Sequence, residues 1–164
     1  MPLAHLDLAQ LEGAEDIDQP PVFVYGSLRH GQENYGLLRG KTLAEIPAVL
    51  YGVRMFSLGW YPVITEVAGD SDAVVTGELM IIHPRHYSQT LKNLDLLEGY
   101  DEEAAVPTLY SRLKRCIKVR SGREVMAWVY IGSEELVAAQ AQEAVPTGDW
   151  VQWRRDRLAG LRGF

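Results

Sequence analysis

Apolar residues fall in short continuous or alternating blocks through most of this chain, and switch to intervals of three and four in a few places. Val22-Phe23-Val24-Tyr25 is a brief β-favouring run halted by Gly26, which predicts a buried strand entering a tight turn. Further strands are predicted over Leu43 to Val49, Tyr51 to Ser57 and Ala73 to Ile82. Tyr110 to Val119 and Glu124 to Ile131 flank Ser121-Gly122, a short glycine-containing connection that favours a hairpin. In its second arm Met126, Trp128 and Tyr130 alternate with Val125, Ala127, Val129 and Ile131, and apolar side chains on both faces predict a central, buried strand.

The helical rhythm starts at Pro84, a residue suited to a first turn. Tyr87, Leu91, Leu94 and Leu97 then make one apolar stripe, for a helix that ends near Gly99 and carries Glu98 at its C-terminal end. Two later helices are predicted, Glu134 to Ala144 after a Ser133 cap and Trp150 to Leu161 after Asp149. Many strands with a few inserted helices, and no regular βαβ alternation, place the chain in the α+β class. Residues 1 to 20 are polar and acidic and end in Gln19-Pro20-Pro21, so they are expected to form a flexible leader, with 21 to 164 as a single domain.

Composition narrows the function. With 47% hydrophobic and 23% charged residues in 164, the chain has the make-up of one folded domain rather than a disordered one. The net charge of −6 argues against a nucleic-acid partner, because phosphate binding needs clustered Lys and Arg. The basic stretch Arg112 to Arg123 alternates its charges with Leu113, Ile117 and Val119, the pattern of a strand with one solvated face. A lone Cys116 makes neither an internal disulfide nor a cysteine-based zinc site. The acidic N-terminal stretch lacks a signal peptide's basic start, and no apolar run approaches the ~18 residues of a membrane helix, so a cytoplasmic protein without a membrane partner is expected.

Two separated stretches carry the candidate chemistry. Val22-Phe23-Val24-Tyr25-Gly26-Ser27-Leu28-Arg29, with Gly31 and Asn34 after it, resembles the signature of the γ-glutamylcyclotransferase-like family, and Leu94-Asp95-Leu96-Leu97-Glu98-Gly99 is similar to that family's Leu-Asp-x-x-Glu-Gly segment. Shorter similarities follow at Gly59 to Pro62, Gly77 to Leu79, Tyr110 to Arg112 and Ala127 to Tyr130, so the resemblance spans roughly Val22 to Ile131. It implies a small mixed β-barrel with flanking helices. It also implies an enzyme that needs no cofactor and converts a small γ-glutamyl amine or amino acid to 5-oxoproline and a free amine.

The residues themselves admit that chemistry. A turn after a buried strand exposes successive backbone N–H groups, and Gly26 lets the main chain approach an anion, so Gly26, Ser27 and Leu28 are candidate carboxylate binders. Ring closure requires the substrate's α-ammonium to lose a proton and the leaving amine to gain one, a task for one carboxyl group, and Glu98 is the candidate. The helix end and the nearby Asp95 and Asp101 are expected to raise its pKa slightly, with burial supplying most of the shift. Tyr25 and Tyr110 either line the pocket or serve as core aromatics. Arg29 orders either the loop or the acidic helix end.

Other readings are weaker. Ser27 lacks the flanking glycines of a hydrolase elbow, and Gly26 lacks the further glycines of a dinucleotide loop. His83 and His86 read as a cap and a surface residue rather than metal ligands. Glu45, Glu66 and Glu78 are the acidic rivals to Glu98, Glu78 foremost because its strand position points either into a barrel or outward. Trp150, Trp153, Leu158 and Leu161 form a helical stripe that either docks on the domain or makes an oligomer contact, so the chain is expected to be a monomer or weak homo-oligomer. A non-catalytic binding module for a γ-glutamyl-like metabolite, and a scaffold acting through the C-terminal helix, remain as alternatives.

Overall fold

The computed structural model describes residues 19–67, 69, 72–104 and 110–162, with backbone only for the last two of these. The leader predicted over 1–20 therefore lies almost wholly outside the described residues. In chain order the elements are β1 (Val22–Val24), β2 (Thr42–Tyr51), β3 (Val53–Ser57), β4 (Pro62–Glu66), β5 (Val74–Ile82), α1 (Tyr87–Glu98), β6 (Tyr110–Val119), β7 (Glu124–Gly132), α2 (Glu134–Gln140), β8 (Glu143–Val145) and α3 (Trp150–Arg162).

Five strands close into a barrel in the order β1-β5-β2-β6-β7, and β4-β3-β8 form a second, smaller sheet. The pairings are antiparallel except where the barrel closes, β1 running parallel to β7 with Val22 opposite Trp128. The mixed barrel with flanking helices is thus the architecture that the resemblance implies.

Strand alternation divides the core in two. Phe23 and Tyr25 of the first strand region join Leu50, Leu79, Ile117 and Val129 in the barrel interior, while Val22 and Val24 point the other way, toward Met80, Tyr87 and Leu94 beneath α1. β7 is buried on both faces as its sequence predicts: Val125, Ala127 and Val129 face the barrel, Trp128 and Tyr130 face α1. Because β1 is covered on both sides, the turn that leaves it starts from a fixed point.

Several predicted boundaries move. The helix predicted over Glu134 to Ala144 stops at Gln140, where Ala141 turns extended and Glu143–Val145 pairs with β3, Val145 opposite Met55. Local helical propensity yields there to an open sheet edge and to the burial of Val145. The strand predicted over Leu43 to Val49 runs from Thr42 to Tyr51, and the next begins only at Val53, because Gly52 breaks the chain at φ 80°. No strand is predicted from the hydrophobic pattern over β4. The Ser121-Gly122 hairpin, the Ser133 cap on Leu136 N–H and the Asp149 cap on Gln152 N–H are all present.

Candidate active site

α1 ends where it does because Gly99 adopts the left-handed conformation (φ 69°) and donates back to the Asp95 and Leu96 carbonyls. Glu98, the last helical residue, is thereby turned toward the turn that follows β1. A cavity of about 340 Å³ lies between them, lined by Tyr25, Gly26, Ser27, Leu28 and Asn34 from the turn, by Leu97 and Glu98, by Tyr110 and Tyr130 of the barrel, and by Leu58, Tyr61 and Pro62 beside it. Every sequence-predicted site residue, Tyr25, Gly26, Ser27, Leu28, Glu98 and Tyr110, borders this one space.

The turn is stapled from several sides. Arg29 N–H donates to Gly26 O at 3.0 Å, Asn34 N–H to Ser27 O at 2.8 Å, and the Asn34 side-chain amide to Ser27 Oγ at 2.9 Å. The backbone N–H groups of Ser27 and Leu28 donate to no acceptor among the described residues. Gly26 is required by packing rather than by torsion: a Cβ there would sit 2.7 Å from Pro62 Cγ. Arg29 orders the loop and not the acidic helix end, since its guanidinium pairs with Glu78 and with Asp149 Oδ1 at 3.1 Å.

Those contacts also remove the rival acids. Glu78 accepts from Arg29 and from His30 N–H at 2.9 Å. Glu45 is held by Tyr35, Thr42 and His30, and Glu66 by Arg115. Glu98, in contrast, has no hydrogen bond or ion pair among the described residues, and burial pushes its carboxyl from 4.5 up to about 7. The like-charge contribution expected from its neighbours is absent. Asp95 accepts from Arg112 Nε at 2.9 Å and from the Tyr130 hydroxyl at 2.6 Å, and the exposed Asp101 caps its own turn through Glu103 N–H.

Three phenols surround Glu98. Tyr25, Tyr110 and Tyr130 are each raised, first by burial; the Glu98 charge is the next contribution for Tyr25 and Tyr110, and for Tyr130 a smaller one after its bond to Asp95, which places all three within the field of Glu98. Tyr25 donates to Tyr130 O at 2.7 Å, so its hydroxyl proton is committed to the barrel wall. Tyr130 was visible only as the end of the weak Ala127 to Tyr130 similarity, because in a strand apolar on both faces nothing separates a site tyrosine from a core one. Tyr61 and Pro62 were visible only as the weak Gly59 to Pro62 similarity, and Leu58 not at all. His83 caps through Arg85 N–H at 3.0 Å and His86 is exposed, as predicted.

The profile of one protein family, described as "Gamma-glutamyl cyclotransferase, AIG2-like", matches residues 22–152. The chain belongs to that family. It is an enzyme of the γ-glutamylcyclotransferase type. Among curated members, it is 26% identical over 147 residues to the gamma-L-glutamyl-butirosin B gamma-glutamyl cyclotransferase of Niallia circulans, covering 88% of this chain and 84% of the relative. It is 31% identical over 131 residues to a Vibrio cholerae protein that bears the gamma-glutamylcyclotransferase name, covering 80% and 95%. The crystal structure of an AIG2-like protein from Mus musculus superposes with a TM-score of 0.56 at 22% identity, over 80% of this chain and 94% of that one, which fixes the fold. No helix among the described residues is long and apolar enough to cross a membrane.

Proposed function

We propose that this cyclotransferase acts on a small γ-glutamyl amide, closing the glutamyl head into 5-oxoproline and releasing the amine. The observation that carries the reading is one cavity holding both a half-buried, unpartnered Glu98 and the unpaired backbone N–H groups of Ser27 and Leu28.

The two N–H groups and the Ser27 hydroxyl bind the α-carboxylate, which folds the flexible glutamyl chain into a near-attack geometry. Glu98 takes a proton from the α-ammonium, and the freed amine attacks the γ-carbonyl carbon. The ring C–N bond forms, the amide C–N bond breaks as Glu98 returns the proton to the departing nitrogen, and the ring nitrogen's second proton passes to the released amine, which leaves as its ammonium. No redox step or cofactor enters. A carboxyl group poised near 7 suits both halves of this exchange at neutral pH, and general acid–base catalysis of this kind contributes ~10²–10⁴-fold.

Incubation with a panel of γ-glutamyl amides, followed by assay of 5-oxoproline, tests the reading. Glu98→Gln is expected to lower kcat by ~10²–10⁴-fold with a small change in KM. Undiminished turnover by that variant excludes Glu98 as the base, and ligand binding without turnover by the wild type makes the protein a binding module.

A further inference from the structure

The cavity has a closed end and an open rim that differ in chemistry. At the closed end Tyr25 is 7% and Leu28 4% exposed. At the rim Tyr61 is 55% and Leu97 41% exposed, and Trp60 beside Tyr61 reaches 80%. A substrate whose glutamyl head lies on the Gly26 to Leu28 backbone therefore directs its amine portion outward, across this rim.

Glu98 is the one charged side chain among the described residues that line the cavity. An amine portion carrying a carboxylate, as in a γ-glutamyl amino acid, meets no lysine or arginine there. One carrying a second ammonium, as in a polyamine, meets only the carboxylate already engaged as base. A charge held against this apolar rim loses part of its hydration and gains no partner, which disfavours it relative to an apolar group. An apolar group instead meets Leu58, Pro62, Tyr61, Leu97 and the buried Leu136, with the uncharged Gln140 as polar neighbour. The volume of about 340 Å³ lies near the lower end of the ~300–1,000 Å³ usual for small-molecule sites, so head and substituent together must be compact.

We infer that the amide substituent this site accepts is an uncharged apolar group of arylalkyl size, selected by Tyr61, Leu97 and Leu136. The inference rests on the cyclotransferase reading for the placement of the glutamyl head. Tyr61 and Leu97 are specificity determinants and take no part in proton transfer.

The test compares γ-glutamylbenzylamide, γ-glutamylglycine and γ-glutamylputrescine, with turnover measured on the wild type and affinity measured calorimetrically on Glu98→Gln. The benzylamide is expected to exceed each of the others by about tenfold or more in both kcat/KM and affinity, the scale on which an apolar pocket separates substrates. In Tyr61→Ser and Leu97→Ser, whose folding is checked by thermal melting, that ratio should shrink mainly through the benzylamide's KM. Glycine or putrescine amides handled as well as the benzylamide overturn the inference, as does a ratio that neither variant changes. Selective benzylamide binding with no 5-oxoproline from any amide leaves the inference standing and sinks the proposed reaction instead.

Discussion

Glu98 shows how much a single residue's environment decides. Its folded carboxyl titrates at about 7 against 4.5 ordinarily, so burial penalises the charged form. In the proposed reaction Glu98 must be ionised to act as base, and kcat/KM is therefore expected to fall as pH drops through about 7, a limb that Glu98→Gln abolishes. The stability consequence has the opposite sense. Because the folded value is raised, the Glu98 contribution is fully present below 4.5 and is lost as pH rises through about 7. Glu98→Gln, neutral throughout, should thus melt like the wild type near pH 4 and be more stable above pH 7, by on the order of 2 kcal/mol. Gly26 makes a second residue-scale prediction. Gly26→Ala places a methyl group 2.7 Å from the Pro62 ring and should cost ~1–3 kcal/mol in denaturant titrations, and Gly26→Ala with Pro62→Ala should cost less than the sum of the two. The sequence marks Gly26 as special, but its packing partner lies 36 positions away.

At the scale of elements, the C-terminal half of α1 is aimed by the barrel. Arg112 of β6, its side chain 6% exposed, grips Asp95 on the last turn of the helix, and Tyr130 of β7 donates to the same carboxylate. The apolar stripe of α1 is legible along the chain and so is the glycine stop, but not the ion pair that sets the helix's angle to the barrel. Arg112 looks in sequence like one more charge on a solvated strand face. Arg112→Met leaves the Asp95 carboxylate without its cation, held by the Tyr130 hydroxyl, and is expected to cost about 3 kcal/mol in chemical denaturation, the low end for a buried pair since Asp95 is 20% exposed. It should also lower kcat, because Glu98 rides on the same turn. Asp95→Asn combined with Arg112→Met should recover part of the stability. The early end of α2 is an element-scale effect too: residues with helical propensity were drawn into β8 by the free edge of β3.

For the whole molecule, α3 is part of the domain rather than an attachment. Trp150 is 1% exposed and joins the barrel-interior cluster, and Trp153 packs against it, whereas Leu158 is 53% exposed. The docking reading of the C-terminal stripe therefore holds for its first two members; the Leu161 side chain lies outside the described residues. Trp150→Ala is expected to cost ~3–5 kcal/mol, read as a lowered denaturation midpoint. Deletion of residues 147–164 should remove the near-ultraviolet circular dichroism of the packed core instead of merely changing an oligomeric state. Arg29 connects this scale to the cavity, since its bonds to Glu78 and Asp149 tie the turn after β1 to β5 and to the residue that caps α3.

The sequence by itself determined what depends on neighbours along the chain: the buried β1, the hairpin, the α1 stripe ending in Glu98, the caps at His83 and Ser133, and, through two ordered motifs, the family. Tertiary structure alone decided which acid stands free of partners. Glu45, Glu66, Glu78 and Glu98 are chemically equivalent as letters, and only the closed barrel brings an arginine, a tyrosine or a backbone N–H to the first three while leaving the fourth against an enclosed space. Ionisation responds to the local dielectric and to partners within a few ångströms, and that distance is set by the fold rather than by spacing along the chain.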